Sequence, residues 1–241
     1  MIATVPHHAP ALAQDLLVSE TFGPTFQGEG ASSGQQALFV RLAACNLTCR
    51  WCDTPFTWDW SAFDRSAETQ HISIIDLVRW TAGFETKLVV VTGGEPLLQR
   101  DRLTELAILL EIAGKRVEIE TNGTLVPGAA LAASAARFNV SVKLAHSGVT
   151  EERRVRPDAI RALANTSACS WKFVVQQPGD LDEIADLETR FGLEPIWVMP
   201  AGTEDASTLA VMRALADEVL VRGWNLTPRL HILLWGDARG R

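Results

Sequence analysis

Apolar residues fall along this chain in two rhythms, and the two alternate. Short apolar runs at Leu38–Leu42, Lys87–Thr92, Arg116–Glu120, Val140–Lys143, Trp171–Val175, Ile196–Met199 and Arg229–Leu234 have the length and residue types of strands. Between them the spacing becomes helical. Leu103, Leu106, Ala107 and Leu110 recur at i, i+3, i+4 and i+7. Leu209, Met212, Leu215, Ala216 and Val219 do the same, and Gly223 is placed to end that helix. Ser73, with Asp76 three residues on, has the form of an N-terminal cap ahead of Ile74, Leu77 and Val78. No repeat or low-complexity linker interrupts the series. Strand–helix alternation predicts an α/β fold with a mostly parallel sheet, open or curled toward a barrel, in one domain over 1–241. Residues 1–15 read as a loose extension outside that pattern.

Composition narrows the class. The chain has 241 residues, 47% hydrophobic and 21% charged, enough to bury a core. No apolar run approaches a membrane span, and the first residues lack a secretory pattern, so a cytoplasmic location is expected. Net charge is −7, and the densest cationic group is Arg153, Arg154 and Arg156. Phosphate backbones require larger basic clusters, so no nucleic-acid partner is expected; a small molecule is.

Of four cysteines, three lie within eight residues: Cys45, Cys49 and Cys52. That is too close and too odd a number for a disulfide framework, and points to metal or redox chemistry. Parallel sheets place ligands on the loops after their strands. Cys45, Gly93-Gly94-Glu95-Pro96, Thr121-Asn122-Gly123 and Met199-Pro200-Ala201-Gly202 all occupy such places. Three thiolates on one short loop can ligate three irons of a [4Fe-4S] cluster and leave the fourth open, as a catalytic metal requires. S-adenosylmethionine can fill that position through its amino and carboxylate groups, and one electron then releases a 5′-deoxyadenosyl radical. Trp51 is placed to pack beside the adenine. The two glycines allow close backbone approach, and Glu95 or nearby carbonyls can accept from an ammonium group. The alternative is a zinc or cluster-binding module that recruits the distant Cys169.

The run Thr25-Phe26-Gln27-Gly28-Glu29-Gly30, with Phe39-Val40-Arg41-Leu42 and Cys45 through Thr54, resembles the 7-carboxy-7-deazaguanine synthases of queuosine and deazapurine biosynthesis. Thr92-Gly93-Gly94-Glu95-Pro96, Ile119 through Thr124, and Gly223-Trp224 through Arg229-Leu230-His231 extend the likeness. The resemblance implies a modified partial (β/α) barrel of radical S-adenosylmethionine type, acting as a homodimer with a reductase or flavodoxin-type electron donor. It implies a Mg2+-dependent lyase that contracts 6-carboxy-5,6,7,8-tetrahydropterin to 7-carboxy-7-deazaguanine with loss of ammonia.

By the same resemblance, Cys45, Cys49 and Cys52 hold the cluster and Thr54 ligates magnesium. Trp51, Cys52, Asp53, Gly94, Glu95, Ser141, Val142, Lys143, Met199, Pro200, Ala201 and Gly202 border S-adenosylmethionine. Phe26, Gln27, Gly28, Glu29, Arg41, Thr92 and His231 hold the pterin, with Arg41 on its carboxylate. From the residues alone, a cross-sheet ion pair is the preferred reading of Arg41, and a helix cap the more common role of Thr54. This sequence has Val142 where the family often has proline, and Ala201 where glutamate is common. Ten residues follow His231, more than in some members. A glycyl-radical activase shares the cysteine loop but has no evident need for the Gln27–Gly30 segment.

Overall fold

The structure, a computed structural model, describes residues 15–134, 136–166 and 168–241. The extension expected over 1–15 thus lies outside the described residues except for Asp15, which begins the first strand.

Strand β1 (Asp15–Phe26) pairs antiparallel with both β2 (Gln36–Leu42) and β3 (Gln70–Ser73). From β2 onward every pairing is parallel, through β4 (Leu88–Gly93), β5 (Arg116–Thr121), β6 (Arg137–Val140), β7 (Cys169–Val175), β8 (Ile196–Pro200) and β9 (Asn225–Leu226). The order across the sheet is β3-β1-β2-β4-β5-β6-β7-β8-β9, with no reversal after β2. The crossovers carry α1 (Arg65–Glu68), α2 (Ile74–Ala82), α3 (Arg100–Ile112), α4 (Ala129–Ala132), α5 (Glu151–Arg154), α6 (Pro157–Ala164), α7 (Leu181–Phe191) and α8 (Asp205–Val221), and α9 (Leu230–Trp235) follows β9.

Side chains alternate across a strand, so each strand serves two faces. Leu38, Val40 and Leu42 of β2 pack into the main core with Leu77 of α2 and Leu103, Leu106 and Leu110 of α3. Phe173 of β7 and Val198 of β8 join Ile184 and Leu187 of α7 in the same core. The intervening positions face the other way, and Phe22, Phe39 and Val90 form a small second cluster there. Further along, that face turns polar. Glu118, only 1% exposed, accepts from Ser32 and from Asn139, which in turn accepts from Ser170. Every member is satisfied, which lets a buried polar line persist under the site.

The parallel strands match the expected ones to within a few residues, with two corrections. The expected Val140–Lys143 strand lies earlier, at Arg137–Val140, because Arg137 and Asn139 alternate polar with apolar and hide the pattern. Ser141–Lys143 becomes the loop after that strand. The expected Arg229–Leu234 strand is instead helix α9, while β9 pairs over only two residues. A short apolar run cannot by itself separate strand from helix; here Ile232 alone is buried and Leu234 is about half exposed. β1 and β3 were not anticipated, since Ser, Thr, Glu and Pro residues break the apolar run in β1. The cap on α2 is as expected, with Ser73 accepting from the Asp76 backbone N–H.

Candidate functional site

The carboxyl ends of the parallel strands and the concave face below them enclose one cavity of about 940 Å³. Its wall takes residues from β1 at Phe22 to β8 at Met199, so the sheet wraps around it.

The cysteine loop begins at Ala44, whose φ of 73° turns the chain sharply off β2. Cys45, Cys49 and Cys52 are free thiols and all line the cavity. The Leu47 backbone N–H approaches Cys45 Sγ at 3.4 Å, and Trp58 Nε1 donates to Cys52 Sγ at 3.3 Å. Burial pushes the Cys45 thiol up to about 11 and raises Cys49 as well. A bound cation would reverse that preference, because coordination deprotonates a thiol. Among the described residues, no three His, Cys, Asp or Glu side chains close on one point as ligands of a single ion do. Three thiols on one loop, all lining the cavity, are a donor set that fits an iron–sulfur cluster. Cys169 sits on β7 away from the cavity wall, its thiol pushed up to about 12 by burial.

Two other loops brace this one. The Gly94 N–H donates to Leu42 O at 3.1 Å and the Glu95 N–H to Ala44 O at 2.8 Å. A Cβ on Gly94 would lie 2.1 Å from Ala44 O, so only glycine fits. Asn122 Nδ2 donates to Asn46 Oδ1 at 2.9 Å, and Asn46 Nδ2 to Thr124 Oγ1 at 2.8 Å.

Of the residues expected at S-adenosylmethionine, Trp51, Cys52, Asp53, Gly94, Ser141, Lys143, Met199, Ala201 and Gly202 line the cavity. Glu95, Val142 and Pro200 do not: all three are buried away from it. The Glu95 carboxylate accepts from Leu97 N, Thr121 Oγ1 and Asn122 N, all within 2.9 Å. Burial still raises its pKa above the ordinary carboxylate value. These bonds join the loops after β4 and β5. Lys143 lies over the Trp51 ring, 5.4 Å from the centroid, and donates to Ser141 Oγ at 3.0 Å. The Trp51 indole N–H is buried without an acceptor among the described residues.

Thr54 occupies the N-cap position of the 3-10 turn Pro55–Thr57, yet its side chain makes no capping bond. Its hydroxyl is 3.7 Å from Cys52 Sγ and borders the cavity.

The residues expected at the pterin line the same cavity. Gln27 Nε2 and Thr92 Oγ1 donate to the two oxygens of Glu120, at 3.2 and 2.7 Å. Lys172 reaches from β7 between Glu29 and Glu120, bonding the first and lying 3.6 Å from the second. Arg229 Nε stands 3.3 Å from Glu29, its amino groups bond Asp53 and Gly202 O, and His231 is 4.0 Å from Glu29. Burial pushes the Glu29 carboxyl up, but Lys172, Arg229 and His231 outweigh it and hold the group well below the carboxylate range. Burial lowers His231 against the opposing pull of Glu29. Gly28 lies against the His231 ring, and Phe26, at 38% exposed, stacks on Trp235 at the mouth. Arg41 gives its Nε to Glu20, 2.7 Å away across the β1–β2 pair.

Sequence reasoning missed several cavity residues. Lys172 had a readable signal, a lone lysine inside the apolar run Trp171-Lys172-Phe173-Val174-Val175. Glu20 had none, because its contacts with Arg41 and Arg239 join segments far apart in the chain.

Comparison with known proteins adds to this geometry. The family model described as the Radical SAM superfamily matches residues 40–174. A protein of Pyrobaculum aerophilum named 7-carboxy-7-deazaguanine synthase is 34% identical, covering 90% of this chain and 94% of its own. One of Halobacterium salinarum with the same name is 35% identical, covering 89% and 88%. The crystal structure of QueE from Escherichia coli superposes with a TM-score of 0.68 at 26% identity, over 90% of this chain and 95% of that one.

Proposed function

Because the chain belongs to the radical SAM superfamily and, within it, to the 7-carboxy-7-deazaguanine synthases, we propose that its cavity contracts 6-carboxy-5,6,7,8-tetrahydropterin to 7-carboxy-7-deazaguanine with release of ammonia. The observation that carries the reading is that one cavity is lined both by three thiols and by Arg41 with the Glu29–Lys172–Glu120 group.

A [4Fe-4S] cluster and S-adenosylmethionine held here would supply one-electron, hydrogen-abstracting chemistry to the carbon bearing the substrate carboxylate. Cys45, Cys49 and Cys52 would hold the cluster, and the N–H groups on the sulfurs of Cys45 and Cys52 would steady the thiolate charge. Trp51 and Lys143 flank the S-adenosylmethionine, with Asp53, Gly94, Ser141, Met199, Ala201 and Gly202 completing its pocket. Thr54, its hydroxyl free of capping, would be the protein ligand to Mg2+, with water and substrate supplying the remaining oxygens.

Glu29 and Glu120 accept from the amino and ring N–H groups of the pterin, fixed in place by Lys172, Gln27 and Thr92. Phe26 and His231 border the ring. Arg41 keeps its Nε on Glu20 and offers its two Nη groups, which take no acceptor among the described residues, to the substrate carboxylate. The chain works as one domain and as a homodimer, and a flavodoxin-type reductase supplies the electron. A cytoplasmic setting fits such a donor; among the described residues no helix is long and apolar enough to cross a membrane.

Anaerobic incubation with the carboxylated pterin, S-adenosylmethionine, Mg2+ and a reductant should yield 7-carboxy-7-deazaguanine by mass spectrometry. Cleavage of S-adenosylmethionine with the pterin left intact would refute the assignment. Arg41→Lys loses the bidentate geometry and should raise KM for this substrate by roughly 30-fold, with S-adenosylmethionine affinity nearly unchanged. Equal weakening of both ligands with a lowered Tm would make Arg41 a sheet brace.

A further inference from the structure

We propose that Arg239, in the segment after α9, is a positioning residue that prepares Arg41 to take a carboxylate-bearing substrate. The inference rests on the reading of Arg41 given above and adds a residue that acts through it.

Glu20 stands between two arginines. Its Oε1 takes Arg41 Nε at 2.7 Å and its Oε2 takes Arg239 Nε at 2.9 Å. Arg239 gives its other edge to Glu68, with Nη2 to Oε2 at 2.8 Å, and covers the Phe56 ring at 3.9 Å from the centroid. Glu20, Arg41, Phe56 and Arg239 all border the cavity. Phe56 belongs to the turn that follows Thr54, so Arg239 ties β1 to the loop beside the cysteines.

The charge balance gives this arrangement its consequence. Two guanidinium groups and two carboxylates leave the quartet neutral before any ligand arrives. With Arg239 in place, Glu20 is shared, and Arg41 keeps unspent charge for an incoming anion. Without Arg239, Glu20 and Glu68 outnumber Arg41, and a substrate carboxylate meets net negative charge. At this partly exposed site the penalty is an electrostatic one, moderate in size and sensitive to salt. It falls only on ligands that carry the carboxylate. Arg239 need not touch the ligand at all.

The test is equilibrium binding, by fluorescence, of 6-carboxypterin and of pterin to the cluster-loaded protein with S-adenosylmethionine present. Arg239→Ala should weaken 6-carboxypterin by about 5-fold or more and leave pterin nearly unchanged. Arg239→Gln, which keeps polar donors in the segment, should show the same selectivity should Ala loosen the fold. Adding Glu20→Gln to Arg239→Ala removes the excess negative charge while leaving an oxygen for Arg41 Nε, and should restore 6-carboxypterin binding. Equal weakening of both ligands, or no rescue by Glu20→Gln, would overturn the proposal and make Arg239 a plain strap. Arg41→Lys run in parallel separates the two levels. If it fails to discriminate the carboxylate, the Arg41 reading falls and this one with it. If it discriminates and Arg239→Ala does not, only the role of Arg239 is lost.

Discussion

Replacing Lys172 by methionine keeps the stem and removes the cation between Glu29 and Glu120. The Lys172 side chain is 7% exposed and that of Glu29 14%, so solvent does little to screen what remains. Breaking a buried pair from one side typically costs about 3–5 kcal/mol. Arg229 stays near Glu29, and Gln27 and Thr92 stay on Glu120, which places the expected loss near the lower end, at about 3 kcal/mol. For a chain of this size that corresponds to a fall in Tm of about 6–12 °C.

The pH dependence carries the sharper test. Glu29 has a depressed pKa in the folded protein, so its pairing adds stability above the unfolded carboxylate value, and that stability is lost as pH falls. The deficit of Lys172→Met should therefore be largest near pH 7 and narrow below about pH 5. Burial opposes the Lys172 charge, but Glu120 and Glu29 raise its pKa above the ordinary value. Its contribution is thus fully present below about pH 10.4, and the deficit stays level from neutrality to moderately alkaline pH. Urea melts at several pH values measure the difference. A deficit that does not change with pH, or no deficit, would refute the idea that Lys172 neutralises buried carboxylates. Glu29→Gln added to Lys172→Met should recover part of the loss, since the unpaired charge goes with it.

Three further outcomes follow from the same geometry. Cys49→Ala should lose most bound iron and all S-adenosylmethionine cleavage while Cys169→Ala keeps both; iron analysis and 5′-deoxyadenosine release decide it. Thr54→Ala should keep the cluster and reductive cleavage but show weak product formation with little Mg2+ stimulation, and an unchanged Mg2+ response would make Thr54 only a turn residue. Gly94→Ala forces a methyl against Ala44 O and should cost about 1–3 kcal/mol in denaturant melts, with a loss of iron binding as Cys45 shifts.

What the sequence made legible was local. The cysteine spacing, the double glycine after β4 and the i, i+3, i+4 face of α3 each lie within a dozen residues, and each sits where the periodicity put it. Glu95 shows the limit. A glutamate next to two glycines reads as a ligand, yet its donors come from Leu97, Thr121 and Asn122, and no short-range pattern announces the last two. α9 was misread because so short a run, five apolar residues and His231, carries no period, and only the neighbours decide which side is buried. Glu20 lay in a strand disguised by polar residues, so the partner of Arg41 stayed hidden until β1 and β2 were paired.

The braces under the cysteine loop are made of protein alone. Glu95 fastens the loops after β4 and β5 to one another, and Asn122 carries that hold to Asn46, between the first two cysteines. These bonds hold the loop without using a thiol, unlike small metal domains whose fold depends on the metal. A molecule stripped of iron is therefore expected to keep this mould and take up a cluster again, so that damage to the reactive centre need not condemn the polypeptide.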